Sequence, residues 1–125
     1  MGTPFSQCGK KIMCGFAGLI DPSCPTASDL ESLLGRMGNS ITHRGPNGFG
    51  LWLNSQNGVG LVHQRLAVLD LSSAGAQPMV SSCGRFTLVY NGEIYNHMDV
   101  RKQIEIEGGT IHWRGCSDTE TLLAG

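Results

Sequence analysis

The stretch Phe86-Thr87-Leu88-Val89-Tyr90-Asn91-Gly92-Glu93-Ile94-Tyr95-Asn96 constrains the fold more than any other in the chain. A β-rich apolar run, Phe86 to Tyr90, drives into a sharp polar element, Asn91-Gly92-Glu93, and apolar character then returns. Two readings stand side by side. An Asn-Gly pair is the signature of a two-residue hairpin turn, because both residues tolerate the positive φ that such turns require. Alternatively, Asn91 and Gly92 present a side-chain amide and an unshielded backbone N–H at a strand end, aimed at a ligand oxygen.

The surrounding chain alternates strand and helix signals. Cys14-Gly15-Phe16-Ala17-Gly18-Leu19-Ile20 is a short apolar run that reads as a buried strand, broken by Asp21-Pro22-Ser23-Cys24-Pro25. Ser28 with Glu31 forms a capping-box pattern, and Leu30, Leu33, Leu34, Met37 and Ile41 then fall on one face of an amphipathic helix. Gly35 and Gly38 weaken that helix by about 1 kcal/mol each relative to Ala. Gly50 to Leu53 and Val59 to Leu66 flank Asn54-Ser55-Gln56-Asn57-Gly58 as a hairpin, with Val68 to Leu71 as an extension of its second arm. His43 to Gly48 and Ser72 to Pro78 are loops by composition. Asn96 caps a second helix running to about Glu107, which Gly108-Gly109 ends. Thr110 to Trp113 reads as a short strand. Ser117 and Glu120 form another capping box, opening a helix that has barely started at Gly125.

The totals exclude several classes of function. A chain of 125 residues fits one domain with a single core. A net charge of -1 with 15% charged residues lacks the clustered Lys/Arg footprint of nucleic-acid binding. No apolar run approaches a membrane span, and residues 1–13 lack a secretory apolar segment. Gly is frequent, at 18 residues, which points to tight turns or close backbone approaches. The five cysteines, Cys8, Cys14, Cys24, Cys83 and Cys116, are odd in number and contain no C-x-x-C pair. The four histidines, His43, His63, His97 and His112, show no ligand spacing, so neither a disulfide framework nor a metal site is expected. A reducing cytoplasm fits this cysteine usage.

Six segments in order resemble the glutaminase domain of class II glutamine amidotransferases, and among them that of asparagine synthetases. They are Met13-Cys14-Gly15, His43-Arg44-Gly45-Pro46, His63-Gln64-Arg65-Leu66, Gly75-Ala76-Gln77-Pro78, Asn91-Gly92-Glu93-Ile94-Tyr95-Asn96 and Ser117-Asp118-Thr119-Glu120. The resemblance implies an α+β fold, the N-terminal-nucleophile hydrolase four-layer αββα sandwich, here truncated at its C-terminal end. On this reading residues 1–13 are an N-terminal extension, and 14–125 are a partial class II glutamine amidotransferase domain.

The resemblance also implies roles. A Cys in an apolar strand is ordinarily a small buried hydrophobe, but the matching cysteine, Cys14, attacks the glutamine carboxamide with its own α-amine as general base. An α-amine has a reference pKa of about 7.7–8.0 against about 10.4 for Lys, so it accepts the thiol proton near neutral pH without a His partner. Arg65, otherwise a solvated cation, grips the α-carboxylate with its planar fork. Leu66, Ala67, Val68 and Leu69 line the same pocket through their backbone. The Asn91 side-chain amide and the Gly92 N–H form the oxyanion hole, where losing one donor costs about 10²–10³ in rate. Glu93 and Asp118, each readable as a surface or helix-start acid, bracket the substrate ammonium. His43, Arg44 and His63 are assigned structural roles, and His97, Cys24, Cys83 and Cys116 none.

The sequence departs from the pattern at one point: residues precede Cys14, and an acylated nitrogen has no basicity. Translation from Met13 followed by methionine removal, removal of a propeptide, or an inactive chain each account for this, and the adjacent methionine favours the first. The ATP-dependent synthetase domain has no counterpart here, so ATP and Mg are expected only in that absent domain, with no cofactor and no metal in this one. The expected partners are L-glutamine and a synthetase domain or subunit, with neither nucleic acid nor membrane. The expected function is hydrolysis of glutamine to glutamate and ammonia through a cysteinyl thioester. The competing expectation is a non-catalytic remnant that at most binds glutamine or a partner.

Overall fold

The apolar runs on either side of Asn54–Gly58 pair as expected, and they anchor a three-stranded antiparallel sheet. The computed structural model describes residues 13–24, 26–66 and 72–125. Strand β1 (Gly15–Ile20), β2 (Gly48–Asn54) and β3 (Val59–Arg65) lie in the order β1-β3-β2. Val62 stands opposite Ala17 on one side and Leu51 on the other. The turn is held by Asn57 N–H to the Asn54 carbonyl at 3.3 Å and closes on Gly58, whose φ is +63. A Cβ there would lie 1.8 Å from the Asp21 carbonyl oxygen, so only glycine fits. The expected extension over Val68 to Leu71 lies outside the described residues.

Helix α1 (Ala27–Ser40) covers one sheet face. Its Leu30 and Leu34 are buried with Val62, and Ala17, Leu19, Cys24, Met37, Leu51 and Leu53 pack around them. The helix starts two residues earlier than its Ser28/Glu31 pattern indicates. Thr26 is the N-cap, its hydroxyl accepting from Asp29 N–H at 3.1 Å. Thr26-x-x-Asp29 is an equivalent capping pattern, and it wins because the chain enters the helix extended at Thr26 (φ -144, ψ 158). Strand β1 is one-sided rather than buried: Phe16, Gly18 and Ile20 are exposed while Gly15 is buried. The alternation follows from its edge position with α1 on one face only.

A second unit follows. Strands β4 (Met79–Val80) and β5 (Thr87–Leu88) form a two-stranded antiparallel ribbon, closed by Ser81 N–H to the Phe86 carbonyl at 2.9 Å. The strand expected over Phe86 to Tyr90 is therefore only two residues long, because the ribbon offers no partner beyond Met79. Helix α2 (His97–Gly108) follows Asn96, whose side chain makes no capping bond, and ends at Gly109 (φ 86). Helix α3 (Asp118–Ala124) begins at Ser117, whose hydroxyl accepts from Thr119 N–H at 3.1 Å. Thr110 to Trp113 forms no ladder, since no strand lies beside it among the described residues. The described structure is a mixed α/β arrangement.

Segment 77–90 crosses the sheet on the face away from α1. The Gln77 carbonyl would lie 1.7 Å from a Cβ at Gly50, and Gly50 is paired with His63. His63 shares this face with Phe16, its partner in β1, and is 1% exposed. The far end of the same face, towards Ile20, is open, with Ile20 itself 76% exposed.

Candidate active site

Cys14 immediately precedes β1, and the pairing of Gly15 with Gln64 carries it alongside the end of β3. Leu66 N–H donates to the Cys14 Sγ at 3.1 Å, and the thiol reaches the Leu66 carbonyl at 3.4 Å. Arg44 packs over the adjoining backbone: its Nε donates to the Cys14 carbonyl at 3.5 Å, and a Cβ at Gly15 would touch its Cδ at 3.0 Å. The half-buried sulfur is thus oriented by the residue that follows Arg65. Arg65 is the last residue of β3, and its Nη1 donates to the Ser72 carbonyl at 2.8 Å. Ala67, Val68 and Leu69 lie outside the described residues.

The loop before Arg44 is fixed from beneath. Gln64, buried on the α1 side, donates through Nε2 to the Gly38 carbonyl at 3.0 Å and to Thr42 Oγ1 at 3.2 Å. His43 is exposed at the surface in the 3-10 turn Thr42–Arg44.

Asn91 and Gly92 do not form a hairpin turn. Neither has a positive φ, and they lie between β5 and α2 in irregular chain. Asp118, from the start of α3, accepts through Oδ2 from Ile94 N–H at 2.9 Å, which draws its carboxylate to the Asn91-Gly92-Glu93 segment. Tyr90 folds back over the same segment: a Cβ at Gly92 would lie 2.5 Å from the Tyr90 hydroxyl and 2.7 Å from its Cζ. Desolvation raises the Tyr90 phenol above its ordinary pKa, and the negative charges of Asp118 and then Glu93 push it further. Asn91, Gly92, Glu93, Asp118 and Tyr90 are therefore one cluster.

His63 lies near the Tyr90 main chain. It lies two residues before Arg65, and neither ring nitrogen has a hydrogen-bond partner among the described residues. Burial lowers its pKa first; the Tyr90 main chain opposes that, and the Arg65 charge lowers it further. The Tyr90 backbone is thus close enough to favour the protonated ring without completing a hydrogen bond. Among the described residues no hydrogen bond runs directly between Cys14 and Asn91 or Gly92.

Gln77 fixes the strand end from the other side. Its Oε1 accepts from Tyr90 N–H at 2.6 Å, and its Nε2 donates to Thr119 Oγ1 at 3.1 Å. The Gln77-Pro78 peptide bond is cis. Glu120, also in α3, serves the framework. It accepts from Arg114 N–H at 2.8 Å and Gly115 N–H at 3.1 Å, and pairs with Arg101 at 3.6 Å and Arg114 at 3.3 Å. It does not reach back to Ser117, so the second capping box is only half formed. Sequence reasoning passed over Tyr90 and left Gln77 without a role. Gln77 carried a signal in its motif, whereas Tyr90 was legible only as a strand residue.

A family profile described as "Glutamine amidotransferase domain" matches residues 13–125. Asparagine synthetase (glutamine-hydrolyzing) 1 of Bacillus subtilis is 38% identical over 114 residues, which cover 90% of this chain and 17% of that protein. Asparagine synthetase (glutamine-hydrolyzing) 1 of Arabidopsis thaliana is 37% identical over 110 residues, covering 88% and 18%. Asparagine synthetase B (glutamine-hydrolyzing) of Escherichia coli is 34% identical over 112 residues, covering 90% and 19%. The chain spans less than a fifth of the length of each of these relatives.

Proposed function

Since the chain belongs to the class II glutamine amidotransferase family, in its asparagine-synthetase branch, we propose that it hydrolyses L-glutamine to glutamate and ammonia at Cys14. The observation that carries this reading is the Cys14 sulfur held 3.1 Å from Leu66 N–H, directly beside Arg65. Nucleophile and carboxylate anchor then share one strand end, while the Asp118 carboxylate accepts from Ile94 N–H, next to Asn91-Gly92-Glu93 in the chain.

The chemistry follows from charge. The Arg65 guanidinium takes the α-carboxylate, and Glu93 and Asp118 take the α-ammonium. Leu66, Ala67, Val68 and Leu69 wall the carboxylate end. The α-amine of Cys14 removes the thiol proton, and the thiolate adds to the carboxamide carbon. The Asn91 amide and Gly92 N–H receive the resulting oxyanion. Collapse of this intermediate, with the proton returned from the α-ammonium to the leaving nitrogen, expels ammonia and leaves a thioester. Water then adds to the thioester, releases glutamate and restores the thiol. Ammonia passes to an ATP-dependent synthetase domain or subunit, in a cytoplasmic setting. The fold that accompanies this reading is the N-terminal-nucleophile αββα sandwich, with the open sheet face towards Ile20 facing its second sheet.

The chain produced with Cys14 as its first residue is expected to release ammonia from glutamine. Cys14→Ala in that form, and the form that retains the residues before Cys14, are expected to release none. Equal ammonia release by the Cys14-initiated chain and its Cys14→Ala variant would sink the enzymatic reading.

A further inference from the structure

Two carboxylates alone are an imperfect receptor for an ammonium group. The group has three N–H donors to satisfy, and two full negative charges around one positive charge leave the site with an excess. A neutral oxygen in the third position satisfies the last donor without adding charge. Tyr90 supplies one in the right place. Its hydroxyl lies over Gly92, next to Glu93 in the chain, and only the missing side chain at Gly92 lets the ring lie there. Asp118 is oriented by Ile94 N–H, which donates to its Oδ2 at 2.9 Å and leaves Oδ1 open among the described residues. The Tyr90 hydroxyl itself has no hydrogen-bond partner among the described residues, although Asp118 and Glu93 both act on it. Burial first, and then those same charges, keep the phenol protonated, so its lone pairs remain available to a donor.

We infer that Tyr90 is a substrate-positioning residue whose hydroxyl, lying over Gly92 in the segment that the Asp118 carboxylate meets at Ile94 N–H, is the neutral third acceptor for the α-ammonium of a bound amino-acid amide. This rests on the glutaminase reading above, and it adds a specificity role: Tyr90 selects α-amino amides over amides that lack the amine. The Tyr90 main chain is fixed by Gln77 and lies against His63. The same residue therefore ties the ammonium subsite to the oxyanion donors that follow it.

Glutamine binding needs no free Cys14 amine, so the test uses the full chain. Titration calorimetry with L-glutamine and with glutaramate, which is glutamine without its α-ammonium, compares wild type with Tyr90→Phe. Tyr90→Phe is expected to weaken glutamine binding about tenfold, the size of one hydrogen bond to a charged group. It should leave glutaramate affinity and the melting temperature unchanged. Undiminished glutamine affinity in Tyr90→Phe overturns the inference, and so does an equal loss for both ligands, which marks a structural role. A wild-type chain that binds no glutamine removes both this inference and the proposed function. Binding that responds to Tyr90→Phe, in a chain whose Cys14-initiated form releases no ammonia, removes hydrolysis alone.

Discussion

Single residues set the charge state of the site. His63 is buried beside Arg65, and its folded pKa is lowered from the ordinary 6.5, mainly by desolvation. The unfolded chain therefore binds more protons than the folded one between 6.5 and that lower value. Stability is complete above about 6.5 and declines as the pH falls through this window. His63→Gln is expected to flatten this part of the profile, measured as the denaturant midpoint against pH relative to wild type. Gly92 offers a second test. Gly92→Ala places a Cβ 2.5 Å from the Tyr90 hydroxyl, and the ring end is the part that yields. Loss of glutamine affinity similar to that of Tyr90→Phe is expected. The double variant should be no worse than either single one, since both remove the same contact. Additive losses would show that Gly92 and Tyr90 act separately.

At the scale of elements, α1 shows how packing reverses a propensity argument. Gly35 and Gly38 look alike in sequence, and both weaken a helix. A Cβ at Gly35 meets nothing within 4 Å, whereas one at Gly38 would lie 2.5 Å from Phe49 Cε2 and 2.8 Å from Val62 Cγ2. Gly35→Ala is expected to stabilise the chain by up to about 1 kcal/mol. Gly38→Ala is expected to destabilise it by about 1–3 kcal/mol, because forcing α1 off the sheet outweighs the helix gain. Urea denaturation of the two variants checks the opposite signs. The start of the same helix at Thr26, not Ser28, has a related reason. Ser28/Glu31 and Thr26/Asp29 both fit a capping pattern, and only the direction of chain entry after the Asp21–Cys24 turn selects Thr26. Thr26→Ala is expected to cost about 1 kcal/mol in that assay, and Ser28→Ala much less.

For the whole molecule, Gln77 ties the α1-covered sheet to the α2–α3 unit: it is buried and bridges Tyr90 N–H and Thr119 Oγ1, with its carbonyl against Gly50. Gln77→Ala leaves buried groups unpaired on both sides and is expected to cost about 1–3 kcal/mol. It should also weaken glutamine binding, because Tyr90, Asn91 and Gly92 lose their brace. Chemical denaturation and ligand titration of this variant measure the two effects separately. The α2–α3 unit is held by buried charge instead. Arg101 lies 4.0 Å above the Trp113 ring and donates to Thr121 Oγ1 and the Gly115 and Ser117 carbonyls. Glu120 completes that arrangement. A helix-start Glu in sequence is thus an interior ion-pair partner in the fold.

The sequence by itself determined the elements whose signals are local: the hairpin around Asn54–Gly58, the amphipathic face of α1, and the Gly109 end of α2. It also determined the family, because six short segments in order carry more information than any single motif. Tertiary structure decided what depends on distant neighbours. It shortened the Phe86–Tyr90 strand to Thr87–Leu88, since a run of β-formers is a strand only where a partner pairs with it. It left Thr110 to Trp113 without a ladder, and it made β1 half-exposed by placing it at an edge. It also ruled out a hairpin turn at Asn91-Gly92, where neither residue has a positive φ, and it decided what packs against them. Here that is Tyr90 from the same strand end and Asp118 from a helix far along the chain, a meeting that no local pattern encodes.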